Sequence, residues 1–152
     1  MFSRREFIEQ SLFAAAATAL APLSQESGPK APPSERVRVA VLGVNGQGMV
    51  HVNKLLAMAD VEVAAICDPD ERVAGTAAAA VEKKSGRKPA IFADLRKLLE
   101  DKTVDAVTIA TPNHWHVLAS MWAVQAGKDV YVEKPLSHNL WEPSARPVQL
   151  MS

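Results

Sequence analysis

The chain has 152 residues, 48% of them hydrophobic, and its 17 basic and 17 acidic side chains leave no formal net charge. This length fits one domain of ordinary size. The balanced charge argues against nucleic acid or an anionic membrane surface as a partner. The single cysteine, Cys67, excludes an internal disulfide framework, and we expect it to be a small buried residue at the end of a strand.

The N-terminus has the pattern of an export signal. Arg4 and Arg5 form a twin-arginine pair, and a short apolar stretch rich in small residues follows them. We expect residues 1–21 to be a signal peptide that engages the twin-arginine export machinery and sends the protein to the periplasm. Residues 22–35, which are rich in Pro, Ser and Gly, are then a flexible linker. The alternative is an alanine-rich helix of the domain itself, in a protein that stays in the cytoplasm.

From residue 36 onward the pattern alternates between strand and helix. This alternation predicts an α/β domain over residues 36–142, with a Rossmann-like, doubly wound parallel sheet covered on both faces. The predicted strands are 37–42, 61–67, 90–92, 104–110 and 129–132, and the predicted helices are 47–59, 70–84, 94–100 and 114–126. Residues 143–152 contain two prolines and no helical apolar period, so we expect an irregular tail.

The most informative stretch is VRVAVLGVNGQG at 37–48, read together with Asp68. A buried strand that runs into a glycine cluster, followed about 20 residues later by an acid at the end of the next strand, is typical of a dinucleotide-binding βαβ unit. The pyrophosphate would lie at the N-terminus of the helix, where free N–H groups favour an anion. Asp68 would accept hydrogen bonds from the adenosine ribose and repel a 2′-phosphate, which favours NAD over NADP. The alternative is a plain glycine turn between strand and helix.

Two later motifs follow neighbouring strands of the predicted sheet. The sequence TPNHWH occupies 111–116, and Glu133-Lys134-Pro135 comes directly after the last predicted strand. Open α/β sheets bind ligands at the carboxyl ends of their strands, so both motifs fall where chemistry is expected. A lysine there can hydrogen-bond a sugar hydroxyl or a nicotinamide ribose, or assist proton transfer if burial lowers its pKa.

Together these motifs resemble the N-terminal cofactor domain of the Gfo/Idh/MocA oxidoreductase family. The matching segments are GVNGQG at 43–48, CDPDE at 67–71, ATPNHWH at 110–116 and AGKDVYVEKPLS at 126–137, with Asn45 in place of a glycine. The resemblance implies that the glycine loop binds the pyrophosphate, that the acid binds the ribose, and that the later motifs border the nicotinamide, with Lys134 as the catalytic residue. The cofactor-binding residues it implies are Gly43, Asn45, Gly46, Gln47, Gly48, Asp68, Thr111, Pro112, Asn113, His116, Glu133 and Lys134.

The resemblance also implies a function. It implies an exported NAD-dependent oxidoreductase acting on a sugar, a polyol or a sugar derivative, with an NAD-dependent glycoside hydrolase or a non-catalytic nucleotide-binding remnant as alternatives. The family continues into a second α+β domain that supplies the substrate pocket, whereas the match here stops at residue 142. We therefore expect a truncated reading frame whose product is catalytically incomplete on its own. Export in the folded state suits a protein that must acquire NAD in the cytoplasm.

The remaining histidines and the tryptophans have simpler interpretations. His114 and His116 are two apart on a predicted helix and point away from each other, and no acidic or cysteine partner has metal-site spacing, so we expect no metal site. His51 and His138 are interpreted as residues of a helix surface. The tryptophans are interpreted as packing residues rather than as stacking platforms: Trp115, Trp122 and Trp141.

Overall fold

The computed structural model describes residues 35–137 of the chain. The strands in this range are β1 (Val37–Leu42), β2 (Val61–Cys67), β3 (Ala90–Phe92), β4 (Ala106–Ile109) and β5 (Asp129–Val132). The α-helices are α1 (Gln47–Leu55), α2 (Glu71–Ser85), α3 (Leu95–Leu99) and α4 (His116–Gln125), and a single 3-10 turn, Asn113–Trp115, precedes α4. The signal peptide, nearly all of the linker and the tail expected from the sequence lie outside the described residues, as do His138 and Trp141.

The five strands form one parallel sheet in the order β3-β2-β1-β4-β5. The Rossmann-like α/β fold predicted from the alternating pattern is therefore confirmed. After β3 the chain crosses back to the other side of β1, so the direction of winding reverses between β1 and β4. In such sheets the crevice beyond the carboxyl ends of the strands at this reversal is the usual place for a ligand.

Hydrophobic side chains pack on both faces of the sheet. One cluster joins Leu42 and Ile109 of the sheet to Leu98 of α3 and Ala119 of α4. The other cluster joins strand residues such as Val41 to α1 and α2 on the opposite face. Successive residues of a strand point to opposite faces, which is why Val41 and Leu42 belong to different clusters. The sheet is therefore covered by helices on both sides.

Several element boundaries differ from those predicted. Helix α1 ends at Leu55 rather than at residue 59, because the N–H groups of Ala57 and Met58 bond to carbonyls three residues back and tighten the last turn. Strand β4 is shorter than predicted, and residues 113–115 form a 3-10 turn before α4 begins. Within residues 35–137 no helix has the length and apolar character needed to cross a membrane.

Candidate functional site: a cleft at the carboxyl edge of the sheet

A cleft of about 950 Å³ opens at the carboxyl edge of the sheet, beyond β1, β2 and β4. This volume suits a small-molecule or cofactor site. Its walls include, from the residues predicted to bind the cofactor, Gly43, Asn45, Asp68, Thr111 and Pro112. The structure therefore brings the glycine loop, the acid after β2 and the segment after β4 to one cavity.

The glycine loop has a conformation that requires glycine at defined positions. Gly43 and Gly46 have φ angles of 75° and 86°, which disfavour other residues. A Cβ on Gly48 would lie 1.8 Å from the carbonyl oxygen of Gly43, so only glycine lets α1 pack this closely on the loop. No side chain caps the start of α1, and no acidic residue lies in its first turn. Its first N–H groups and the positive end of its dipole are thus directed at the loop.

Asp68 is held by two backbone N–H groups. Val44 N–H donates to one carboxylate oxygen and Asp70 N–H to the other, each at 3.0 Å. The residue is only 8% exposed, yet it lines the cleft. Because each carboxylate oxygen can accept more than one hydrogen bond, Asp68 is fixed in place and can still accept hydrogen bonds from a ligand.

Asp94 and Arg96 line the cleft beside Asp68, and the sequence interpretation missed them. Asp94 caps α3 by accepting from Arg96 N–H at 2.9 Å, and it also pairs with the Arg96 guanidinium at 2.7 Å. These bonds lower the pKa of the Asp94 carboxyl to about 2. Asp94 follows β3 as Asp68 follows β2, so a search for polar residues after every predicted strand could have found it.

The segment after β4 is organised by His116, the first residue of α4. Its side chain is 1% exposed, and its Nε2 lies 2.8 Å from the carbonyl oxygen of Thr111. Thr111 and Pro112 line the cleft, whereas Asn113 is exposed and lies outside its lining. Thr111 and Pro112 of the predicted segment therefore lie at the cleft, whereas His116 is buried and does not line it.

Glu133 and Lys134 extend from β5, at the same edge but outside the cleft lining. The Glu133 carboxylate accepts from Gln47 Nε2 at 3.0 Å and lies 2.6 Å from His51 Nε2. The His51 imidazole and the Gln47 amide hold the pKa of the Glu133 carboxyl below its usual range. Lys134 is exposed, and within the part of the chain that the structure describes its ammonium has no bonded partner.

Two interpretations of aromatic residues need correction. His51 is not a residue of the helix surface: it is 6% exposed, because α1 turns it toward Glu133 and the ring of Tyr131. Trp122 packs on the core as expected, but Trp115 is 43% exposed and lines the cleft. Among residues 35–137, no three His, Cys, Asp or Glu side chains are grouped so that they could hold a metal ion.

Cys67 ends β2 and is buried, as the sequence predicted. Burial, followed by the charges of Asp68 and Asp94, raises the pKa of its thiol to about 12. A thiol of that pKa is protonated at neutral pH and is a poor nucleophile. Although Cys67 lines the cleft, its role there is packing.

Comparison with known proteins agrees with this geometry. Residues 37–145 match the model of the Gfo/Idh/MocA family, described as an oxidoreductase family with an NAD-binding Rossmann fold. The structure is similar to that of myo-inositol dehydrogenase from Lactobacillus casei in complex with NAD(H) and myo-inositol. That similarity has a TM-score of 0.67 and 26% sequence identity, and it covers 72% of this chain and 32% of that one.

Two curated relatives are similar in sequence. Glycosyl hydrolase family 109 protein 2 of Shewanella sp. (strain ANA-3) is 34% identical over 93% of this chain and 36% of its own length. The alpha-N-acetylgalactosaminidase of Shewanella oneidensis is 37% identical over 70% of this chain and 24% of its own length. The chain thus spans about a third or less of the relatives that it matches.

The family match covers most of the chain, and the sheet order, the glycine loop and the acid after β2 are those of a dinucleotide-binding fold. The chain therefore belongs to the Gfo/Idh/MocA family and carries its NAD-binding Rossmann domain.

Proposed function

We propose that the cleft holds NAD(H) with its pyrophosphate on the loop from Gly43 to Gly48 and its adenosine ribose on Asp68. The observation that carries this assignment is the cleft itself, which unites that loop, the buried carboxylate and Thr111 at one sheet edge. The residues that would then border the nicotinamide are Thr111–Asn113 and, at the end of β5, Lys134. Lys134 is the group that we assign to proton transfer with a substrate hydroxyl.

The ribose assignment is tested by titrating the purified 152-residue protein with NAD and with NADP. We expect NAD to bind more tightly, because the buried Asp68 carboxylate accepts from ribose hydroxyls and repels a 2′-phosphate. Replacing Asp68 by alanine should weaken NAD binding about 10-fold, the order expected for losing a hydrogen bond to a charged group. It should also reduce the difference in affinity between NAD and NADP. Equal affinities of the unmodified protein for the two cofactors would contradict the assignment.

Asp70→Ala is the matched control. Asp70 caps α2 through Arg72 N–H and Val73 N–H but does not line the cleft. This variant should lose about 1 kcal/mol of stability, as is typical of a lost helix cap, and keep the preference for NAD. A loss of the preference in both variants would show that stability, and not ribose contact, produced the effect.

For the enzyme that contains this domain, we propose oxidation of a hydroxyl-bearing carbon of a sugar, a polyol or a sugar derivative. When bound, NAD would supply the hydride acceptor for that carbon, and a base such as Lys134 would take the hydroxyl proton. The likeness to a myo-inositol dehydrogenase supports net oxidation. The likeness to glycosyl hydrolase family 109 proteins supports a second candidate, a hydrolase in which NAD oxidises the sugar only transiently.

The two candidate enzymes differ in whether NADH accumulates during the reaction. A dehydrogenase accumulates one NADH for each substrate molecule oxidised. A hydrolase releases the aglycone of an α-N-acetylgalactosaminide while NADH does not accumulate. Measuring both products in one reaction of the enzyme that carries this domain separates the candidates, and the absence of both products would contradict each.

We also propose that Arg4 and Arg5 direct export through the twin-arginine route. The pair precedes a short apolar stretch, and a protein that folds around NAD needs a route for folded cargo. Changing both arginines to lysine should retain the protein in the cytoplasm, as measured by cell fractionation. An unchanged distribution would show that the N-terminus is not a signal of this type.

A further inference from the structure

Two buried histidines contact the segment Glu133–Pro135, one from each face of the sheet. His51 of α1 contacts the Glu133 side chain on one face, and His116 of α4 contacts the Pro135 carbonyl on the other. We propose that His51 and His116 are positioning residues that together fix the backbone of Lys134. The inference rests on the proposed role of Lys134 and assigns new roles to the two histidines.

His116 joins two loops that are far apart in sequence. Its Nδ1 lies 2.7 Å from the carbonyl oxygen of Pro135, and its Nε2 lies 2.8 Å from that of Thr111. Each carbonyl oxygen can accept a hydrogen bond from a ring N–H of His116. Phenylalanine in place of His116 would lose the polar contact with both loops.

His51 holds the other side of the segment. Its Nε2 must donate to Glu133, because a carboxylate only accepts. The ring is further fixed by an edge-on contact with Tyr131, whose centroid lies 5.5 Å away. The Glu133 backbone N–H also bonds to Ile109 of β4. The residues on both sides of Lys134 are thus tied to the sheet and its helices, while its own side chain stays exposed.

The test uses backbone amide hydrogen exchange of the 152-residue protein with no cofactor present, so that its outcome does not depend on the proposed NAD contacts. His51→Phe should speed exchange in residues 133–136 about 5-fold, the order of one lost hydrogen bond, as read at the Glu133 amide, which bonds to the Ile109 carbonyl. His116→Phe should do the same there and also in residues 111–115, as read at the Trp115 amide, which bonds to the Pro112 carbonyl. His114→Phe is the matched control, since His114 is exposed, and it should change neither segment.

The pattern of exchange separates positioning from a general loss of stability. Faster exchange throughout β1 and β2 in the histidine variants, or no change in the two segments, would overturn the proposal. If the phenylalanine does not fit the buried site of His116, His116→Gln serves as the second variant, with the same expected pattern and a smaller effect.

One further measurement completes the test. In NADH titrations His116→Phe should weaken binding roughly 5-fold, because the Thr111 segment borders the cleft. If exchange rises in both segments while NADH affinity stays the same, the link between His116 and the cofactor is wrong.

Discussion

At the carboxyl edge of the sheet, the cleft beside β1 and β2 holds Asp68 in place, whereas the segment after β5, outside the cleft lining, leaves the Lys134 side chain exposed. Asp68 is buried, and both of its carboxylate oxygens accept backbone N–H groups. Among residues 35–137, Lys134 is anchored only through its backbone neighbours. The half that would bind adenosine and pyrophosphate is therefore preorganised within the described residues, while the half assigned to chemistry is not enclosed. Cofactor binding and catalysis should respond differently to mutation.

The largest effect is expected at Gly48. Its replacement by alanine sets a Cβ 1.8 Å from the Gly43 carbonyl oxygen, so either α1 or the glycine loop must move. NAD binding should become undetectable by calorimetry, and thermal unfolding should occur several degrees lower. Gly75→Ala is the control, because a Cβ on Gly75 of α2 meets nothing within 4 Å. That change should stabilise the protein by about 0.5–1 kcal/mol and leave binding unaltered. Normal binding by Gly48→Ala would contradict the close packing.

An effect of intermediate size is expected on stability when the pH is lowered, because Asp94 at one end of the cleft becomes protonated. The folded-state pKa of Asp94 is depressed from 3.8 to about 2, so its contribution to stability is present above pH 4 and is lost as pH falls toward 2. Urea unfolding of the unmodified protein and of Asp94→Asn should differ at pH 5, and the difference should shrink at pH 2.5. A difference that is the same at both pH values would show that the charge of Asp94 has no part in stability.

The smallest effect is expected at Lys134. Because its side chain is exposed, Lys134→Ala should change the free energy of unfolding by less than about 0.5 kcal/mol, and NAD affinity should change far less than with Asp68→Ala. The 152-residue protein should also form no NADH from a panel of sugars and polyols, because the described residues build no enclosure for a substrate beside Lys134. Turnover that is abolished by Lys134→Ala would contradict this expectation.

Local patterns were enough to predict most of the fold. The bounds of β1, β2, β3 and β5 match the prediction, because each is a compact run of strand-forming residues between turn signals. The end of α1 was overestimated, since no glycine or proline marks it and its last turn is closed by backbone bonds alone. The family resemblance predicted NAD as the cofactor. The distance in sequence between the glycine cluster and Asp68 indicated the same cofactor independently.

Long-range side-chain pairing could not be predicted. His51 and Glu133 are 82 positions apart, and their contact depends on how α1 packs against the sheet. The same holds for His116, whose two acceptors come from segments 5 and 19 residues away. Asp94 was missed for another reason. It is the first residue of the predicted helix 94–100, and no motif in the sequence links it to the cofactor site. Sequence patterns thus indicated the binding side of the site well and the packing around Lys134 poorly.

The central claim is that NAD lies across the carboxyl edge of the sheet, from Asp68 to the end of β4. Mapping the backbone amide NMR shifts during an NADH titration tests it most directly. The account predicts the largest changes at the amides of residues 43–48, of Asp68 and Asp70, of residues 94–96, and of Thr111 and Asn113. The opposite edge of the sheet, around Arg38 and Asp105, should not respond. Changes centred on that opposite edge, or no change at Gly43–Gly48 and Asp68 under saturating NADH, would contradict the account.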